Sequence, residues 1–221
     1  MKQPKGAAGT ETPPLRSVGR PRSERSETAI LNAAMDILIE KGYRGFTIDE
    51  VVSRASVSKA TIYRRWPSKE LLAVAAVAGF PELHAVDTGS LEDDLYTIVS
   101  EFADVLQNTA LGAVWPSLVG ERSRNEELKA ALDEMTEHRR TPTRQAFERA
   151  IERGELPEDL DLALAIDMIM GPVLLRLLFQ NADTTPAALR KIIIAVLPAL
   201  GFKPAKKKPA VRRRRAPKAP A

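Results

Sequence analysis

The chain has 221 residues, 33 Lys and Arg against 29 Asp and Glu, and no cysteine. That length allows one or two domains with a sizeable core, and the missing cysteines exclude both a disulfide framework and a thiolate zinc site. The formal charge of +4 hides a segregation: residues 203–221 carry nine bases and no acid, 1–22 five bases and one acid, 43–69 six bases and two acids, whereas 70–202 hold eleven bases against twenty-two acids. Three segments suit a polyanion, and the body between them is repelled by one.

Residues 1–22 hold too few large apolar side chains to fold alone and read as a disordered basic arm. Arg16, Arg20 and Arg22, around Gly19 and Pro21, either lie in an AT-rich minor groove or stay a solvated tail. The first seventeen residues lack the apolar centre of a signal peptide. The run LLAVAAVAGF (71–80) is far short of the roughly 20 residues of a membrane span. The expectation is a cytoplasmic, nucleoid-associated protein with no membrane partner.

A helix is predicted from Ser23 to Lys41, with Ile30, Ala33, Ala34, Ile37 and Leu38 on one face and Gly42 ending it. Thr47 then caps a second helix. Glu50, three residues on, completes a capping box, and Phe46 with Val51 forms a hydrophobic staple. Residues 56–58, SVS, leave room only for a turn before Ser58 caps a third helix, Lys59 to about Trp66. Two helices so closely joined cross steeply. The third buries Ile62 and presents Lys59, Ala60, Thr61, Tyr63, Arg64 and Arg65, side chains that can reach base edges and phosphates. Pro67 stops it, and Ser68 caps the next helix at Lys69, a helix start suited to phosphate.

The run GYRGFTIDEVVSRASVSKATIYRRWPSKELL (42–72), with the amphipathic helix and GRPR (19–22) before it, resembles the TetR family of transcriptional regulators. The resemblance implies a helix-turn-helix head that reads double-stranded DNA. Position by position it implies base reading by Lys59, Ala60, Thr61 and Arg65, with Thr47, Tyr63 and Lys69 on phosphate and Ser58 and Arg64 in the same interface. Ser56 departs from the pattern, since the family usually has Gly there; a non-Gly residue in a left-handed turn costs roughly 1 kcal/mol. The resemblance further implies a homodimer on a palindromic operator, and a small hydrophobic effector in the acidic body that weakens operator binding. The helix opening at Ser68 would carry that movement to the head.

That helix runs to Gly79, Phe80 and Pro81. Ser90 with Asp93 caps another, with Leu95, Ile98, Val99, Phe102, Val105 and Leu106 facing inward; a shorter one carries Leu111, Val114, Trp115 and Leu118 around Pro116. Asn125 opens one long helix reaching Arg153. Tyr96, Phe102, Trp115, Met135 and Met170 are either ordinary core or the walls of an effector pocket, the latter on the strength of the resemblance. From Asp161 to about Asn181 a helix is apolar on nearly all sides, with Gly171 and Pro172 bending it, and the next begins at Pro186. Two such helices from each of two subunits would make a four-helix interface, with Leu174, Leu177, Leu189, Ile193, Val196 and Leu197 in it. Asp167 and Arg176 in this greasy pair need partners.

The predicted fold is therefore all-α, with about nine helices: a DNA-binding head over 23–70, an effector-binding and dimerisation domain over 71–202, and a disordered basic tail over 203–221. The tail either binds phosphate non-specifically, meets anionic lipid, or stays solvated. No GxGxxG, Walker loop or GxSxG turn is present. His138 and Glu134 share a helical face, but two ligands do not make a metal site. No cofactor, metal or enzymatic activity is expected. The rival reading is an architectural DNA protein that coats DNA with its tail and needs no effector.

Overall fold

The computed structural model describes residues 20–180 and 182–204, with side chains from residue 24 onward. The predictions for arm residues 1–19, for the Arg20 and Arg22 side chains, and for tail residues 205–221 fall outside the described residues, whereas residues 20–22, predicted as part of the disordered arm, are helical. Ten α-helices follow one another: α1 (Arg20–Gly45), α2 (Ile48–Ala55), α3 (Lys59–Tyr63), α4 (Lys69–Ala78), α5 (Leu91–Asn108), α6 (Leu111–Arg122), α7 (Glu126–Arg139), α8 (Thr141–Glu152), α9 (Leu162–Leu175) and α10 (Pro186–Val196). A π-helical turn, Arg176–Gln180, continues α9, and a 3-10 turn, Leu197–Leu200, follows α10.

The tenth helix comes from a break that the sequence reading missed. Where one helix is predicted over 125–153, α7 ends at Arg139 and α8 restarts with Pro142 in its first turn. Proline has no N–H to donate and its ring clashes with the preceding turn, so it starts a helix readily and interrupts one. α1 begins at Arg20, three residues earlier than predicted, and its geometry breaks at Gly42 (φ 63°, ψ −179°), the residue predicted to end it. α3 is also shorter than predicted, closing at Tyr63, although the Trp66 amide still donates to the Ile62 carbonyl at 2.9 Å.

Packing does not stop at the expected boundary between head and body. Ile30, Ile37, Leu38, Phe46, Val51 and Ile62 of the head share one buried cluster with Leu72 of α4 and with Val105, Leu106, Leu111, Leu118, Leu128 and Leu132 of α5, α6 and α7. Each such side chain contributes roughly 1.5–3 kcal/mol on burial, so head and front of the body stand or fall together. A second cluster joins α5, α8, α9 and α10 through Leu95, Ile98, Phe147, Ile166, Ile169, Val173 and Ile193.

α9 is left partly uncovered. Leu164 is 55 % exposed, Leu175 48 % and Phe179 81 %, with Ile194 of α10 at 54 %. Over Leu162–Gln180, 19 residues with mean hydropathy 2.0, the helix is long and apolar enough to cross a membrane by composition. Three side chains predicted for a subunit interface lie elsewhere: Leu189, Ile193 and Leu197 are buried inside their own chain. The stripe they form is the face of α10 turned to the second core cluster.

Candidate nucleic-acid interface and effector cavity

Each helix of the reading unit starts where its cap predicts. The amides of Glu50, Thr61 and Leu71 donate to the side-chain oxygens of Thr47 (3.3 Å), Ser58 (3.2 Å) and Ser68 (3.2 Å). Only half of the predicted capping box forms, because the Glu50 carboxylate turns to Lys41 (2.7 Å) and Arg54 (2.6 Å). Those two cations hold it below the ordinary carboxylate value. The result is a clamp between α1 and α2, since Arg54 also grips Glu40 through both oxygens. Ser56 sits in the left-handed region (φ 52°, ψ 46°), as the turn demands.

This scaffold brings Thr47, Ser58, Lys59, Ala60, Tyr63 and Arg64 together on the exposed side of α2 and α3, with Thr61 half-buried beside them. The Ser58 and Thr61 hydroxyls are 2.9 Å apart. Lys59 Nζ lies 2.5 Å from Asp49, and that hydrogen bond raises its pKa. Lys69 stands over the Tyr43 ring, 4.7 Å from its centroid, at the start of α4. Arg65 is not brought onto the shared face: its Nε lies 3.6 Å from Glu27 of α1, and the side chain is only 19 % exposed.

Behind the head, a polar junction joins it to the body. Tyr43 Oη donates to Glu70 Oε1 at 2.7 Å, and Asn125 Nδ2 donates to the same oxygen at 2.8 Å. Asn125 also caps α7 by accepting from the Leu128 amide. Burial pushes the Glu70 carboxyl up, but the hydrogen bonds from Tyr43, its own backbone and Asn125, with the nearby Lys69 charge, hold it below its ordinary value. Burial and the Glu70 contact raise the Tyr43 phenol.

The body contains a cavity of about 280 Å³ between α5, α6, α7 and α9. Phe102, Trp115, Met135 and Met170, four of the five residues proposed for an effector pocket, line it, and so does Leu174, which the sequence reading assigned to the subunit interface. Tyr96 does not: its ring is covered by the Arg190 guanidinium, 3.9 Å from the centroid. One corner is polar, formed by Thr136, Arg139, Arg140 and Asp167. Arg140 is ion-paired with Asp167, which is 60 % exposed and not buried as predicted. Arg176 has no place in the cavity lining and donates to the Asp183 carbonyl at 2.8 Å. No cluster of three metal-ligating side chains occurs among the described residues.

Residues 30–76 match the bacterial regulatory proteins of the tetR family, and residues 85–196 match the tetracyclin repressor-like C-terminal domain. The chain belongs to the TetR family of transcriptional regulators. Similar proteins include the HTH-type transcriptional regulator YdeS of Bacillus subtilis (strain 168), 35 % identical over 80 % of this chain and 90 % of that protein. The DNA-binding transcriptional repressor TetR of Mycobacteroides abscessus is 33 % identical over 66 % of this chain and 79 % of its own length. Among solved structures, the TetR family transcription regulator SCO0332 superposes with a TM-score of 0.60 at 27 % identity, covering 79 % of this chain and 97 % of that one.

In this TetR-family chain α2 and α3 carry the exposed polar and basic side chains, and the last residue of α4, Ala78, is held by Arg139 of the cavity lining. Two features of this arrangement were missed in the sequence. Glu70 reads there as an ordinary helical acid, and Arg139 as one of many surface arginines. Only contacts made 27 to 61 positions apart in the chain reveal them.

Proposed function

We propose that the protein is a ligand-responsive repressor that binds a palindromic operator as a homodimer in the cytoplasm, and that occupation of the cavity weakens DNA binding. The observation that carries this reading is the continuous core from α3 through α4 to α7, which leaves the reading surface and the cavity on one packed body. Lys59, Ala60 and Thr61 are the base-reading candidates, and Thr47, Tyr63 and Lys69 those for phosphate, with Ser58 and Arg64 flanking them. Arg65 joins them only by leaving Glu27. Arg20 and Arg22, in the first turn of α1, are proposed for the adjoining minor groove.

The uncovered apolar residues of α9 and α10 support pairing with a second copy, since a helix wet on an apolar face is a poor end state. The relevant residues are then Leu164, Leu175, Phe179 and Ile194, with Leu177 and Val196 beside them. Two reading heads related by a two-fold axis call for a palindrome with half-sites about one helical turn apart.

Selection of bound fragments from random DNA by the full chain tests the reading. A recurrent inverted repeat, bound equally well after residues 203–221 are removed, is the expected result. Loss of all sequence preference on that removal would favour the architectural reading, in which the nine basic residues of the tail do the binding.

A further inference from the structure

The polar corner of the cavity is unevenly furnished. Two arginines, Arg139 and Arg140, and one carboxylate, Asp167, are the charged residues of its lining. Arg140 is ion-paired with Asp167 and, more loosely at 3.9 Å, with Glu137. Arg139 forms no ion pair among the described residues and spends its donors on neutral backbone: Nη1 to the Pro81 carbonyl at 3.1 Å, Nη2 to those of Ala78 at 3.2 Å and Phe80 at 3.0 Å. Burial pulls its pKa down against the weaker influence of Glu82. In a body with twice as many acids as bases, 22 against 11 over residues 70–202, the cavity lining itself holds two bases and one acid.

The three carbonyls that Arg139 holds are the end of α4 and the turn after it. The last carbonyls of a helix have no partner within it, so a cation there both satisfies them and suits the dipole. A carboxylate is a stronger acceptor than a carbonyl and matches the planar fork of a guanidinium with two oxygens. We propose that the cavity takes an apolar ligand bearing a single carboxylate, and that Arg139 receives this group by letting go of the carbonyls at the end of α4. The wall formed by Phe102, Trp115, Met135 and Met170 holds the apolar part. The transfer frees the far end of the helix whose near end carries Ser68, Lys69 and Glu70 of the head. This inference rests on the cavity being an effector site.

The test uses the full chain and matched probes: decanoate and dodecanoate against 1-decanol and 1-dodecanol, titrated calorimetrically below their aggregation limits. The acids are expected to bind tighter than the alcohols of equal length by on the order of tenfold or more, the effect of a charge-assisted hydrogen bond. Arg139→Gln removes that preference while leaving alcohol binding in place, and Arg139→Lys restores part of it. Hydrogen exchange on the unaltered protein needs no variant: bound acid speeds exchange over residues 76–83, and bound alcohol does not. Equal affinity for acid and alcohol overturns the carboxylate assignment. Unchanged protection over 76–83 with acid bound overturns the transfer. Binding of neither probe overturns the cavity reading itself, a result distinct from both.

Discussion

The hydroxyl of Tyr43, just past the break in α1, donates to Glu70 of α4 across 2.7 Å, and Asn125 at the start of α7 fastens the same carboxylate oxygen. Three segments are thereby pinned at one oxygen. Since Glu70 is only 8 % exposed, losing a donor leaves a carboxylate poorly solvated. Tyr43→Phe should therefore cost roughly 1–3 kcal/mol, read as a lower urea midpoint at unchanged slope.

This junction and the Arg54 clamp between α1 and α2 together set a pH dependence. Glu70, Glu50 and Glu40 are held below the ordinary carboxylate value of 4.5. Their contribution is in place above that value and is lost as pH falls through the lower folded values. Tyr43 is raised above its ordinary 10.0, so its contribution is in place below pH 10 and is lost as pH climbs beyond it. Urea midpoints taken across the acid limb should fall less steeply for Glu70→Gln than for the unaltered chain.

Ser56 is the one non-glycine residue with positive φ among the described residues. Ser56→Gly relieves the left-handed conformation and should stabilise the head by up to about 1 kcal/mol, measured by thermal unfolding. The gain is smaller to the extent that glycine also loosens the unfolded chain.

On the DNA side, Lys59→Ala should relax preference at one operator position by about 1–3 kcal/mol. Lys69→Ala should weaken all sequences alike and lower the slope of log affinity against log salt by about 0.9. Competition binding against single-base operator variants at two salt concentrations separates them, and an exchange of the two patterns would reverse the assigned roles.

Phe179→Asp places a charge on the most exposed large apolar side chain described. It should turn the proposed dimer into single subunits in sedimentation while leaving the helical content of each chain intact. A second copy still present at micromolar concentration would move the interface away from α9.

What could be read from the sequence was what is local. Thr47, Ser58 and Ser68 announce helix starts because a cap and its amide are three residues apart, and the left-handed Ser56 follows from the turn they enclose. The cavity was half legible: Phe102, Trp115, Met135 and Met170 stood out by bulk, but Tyr96 has equal bulk and is covered by Arg190. Leu189, Ile193 and Leu197 are buried in their own chain because periodicity cannot tell the face of α10 that meets α5 from the one left open at Ile194. Arg65 matched its expected position in the chain, yet its direction depends on Glu27, 38 positions away.

The open side of α9 also bears on how stability should be measured. If folding of each subunit is completed only by docking with its twin, the free energy of unfolding includes association and so shifts with dilution. Melting temperature should then climb as the sample is concentrated. A repressor built this way would lose both its grip on an inverted repeat and its resistance to heat as its cellular abundance drops, through the same unprotected leucines and phenylalanine.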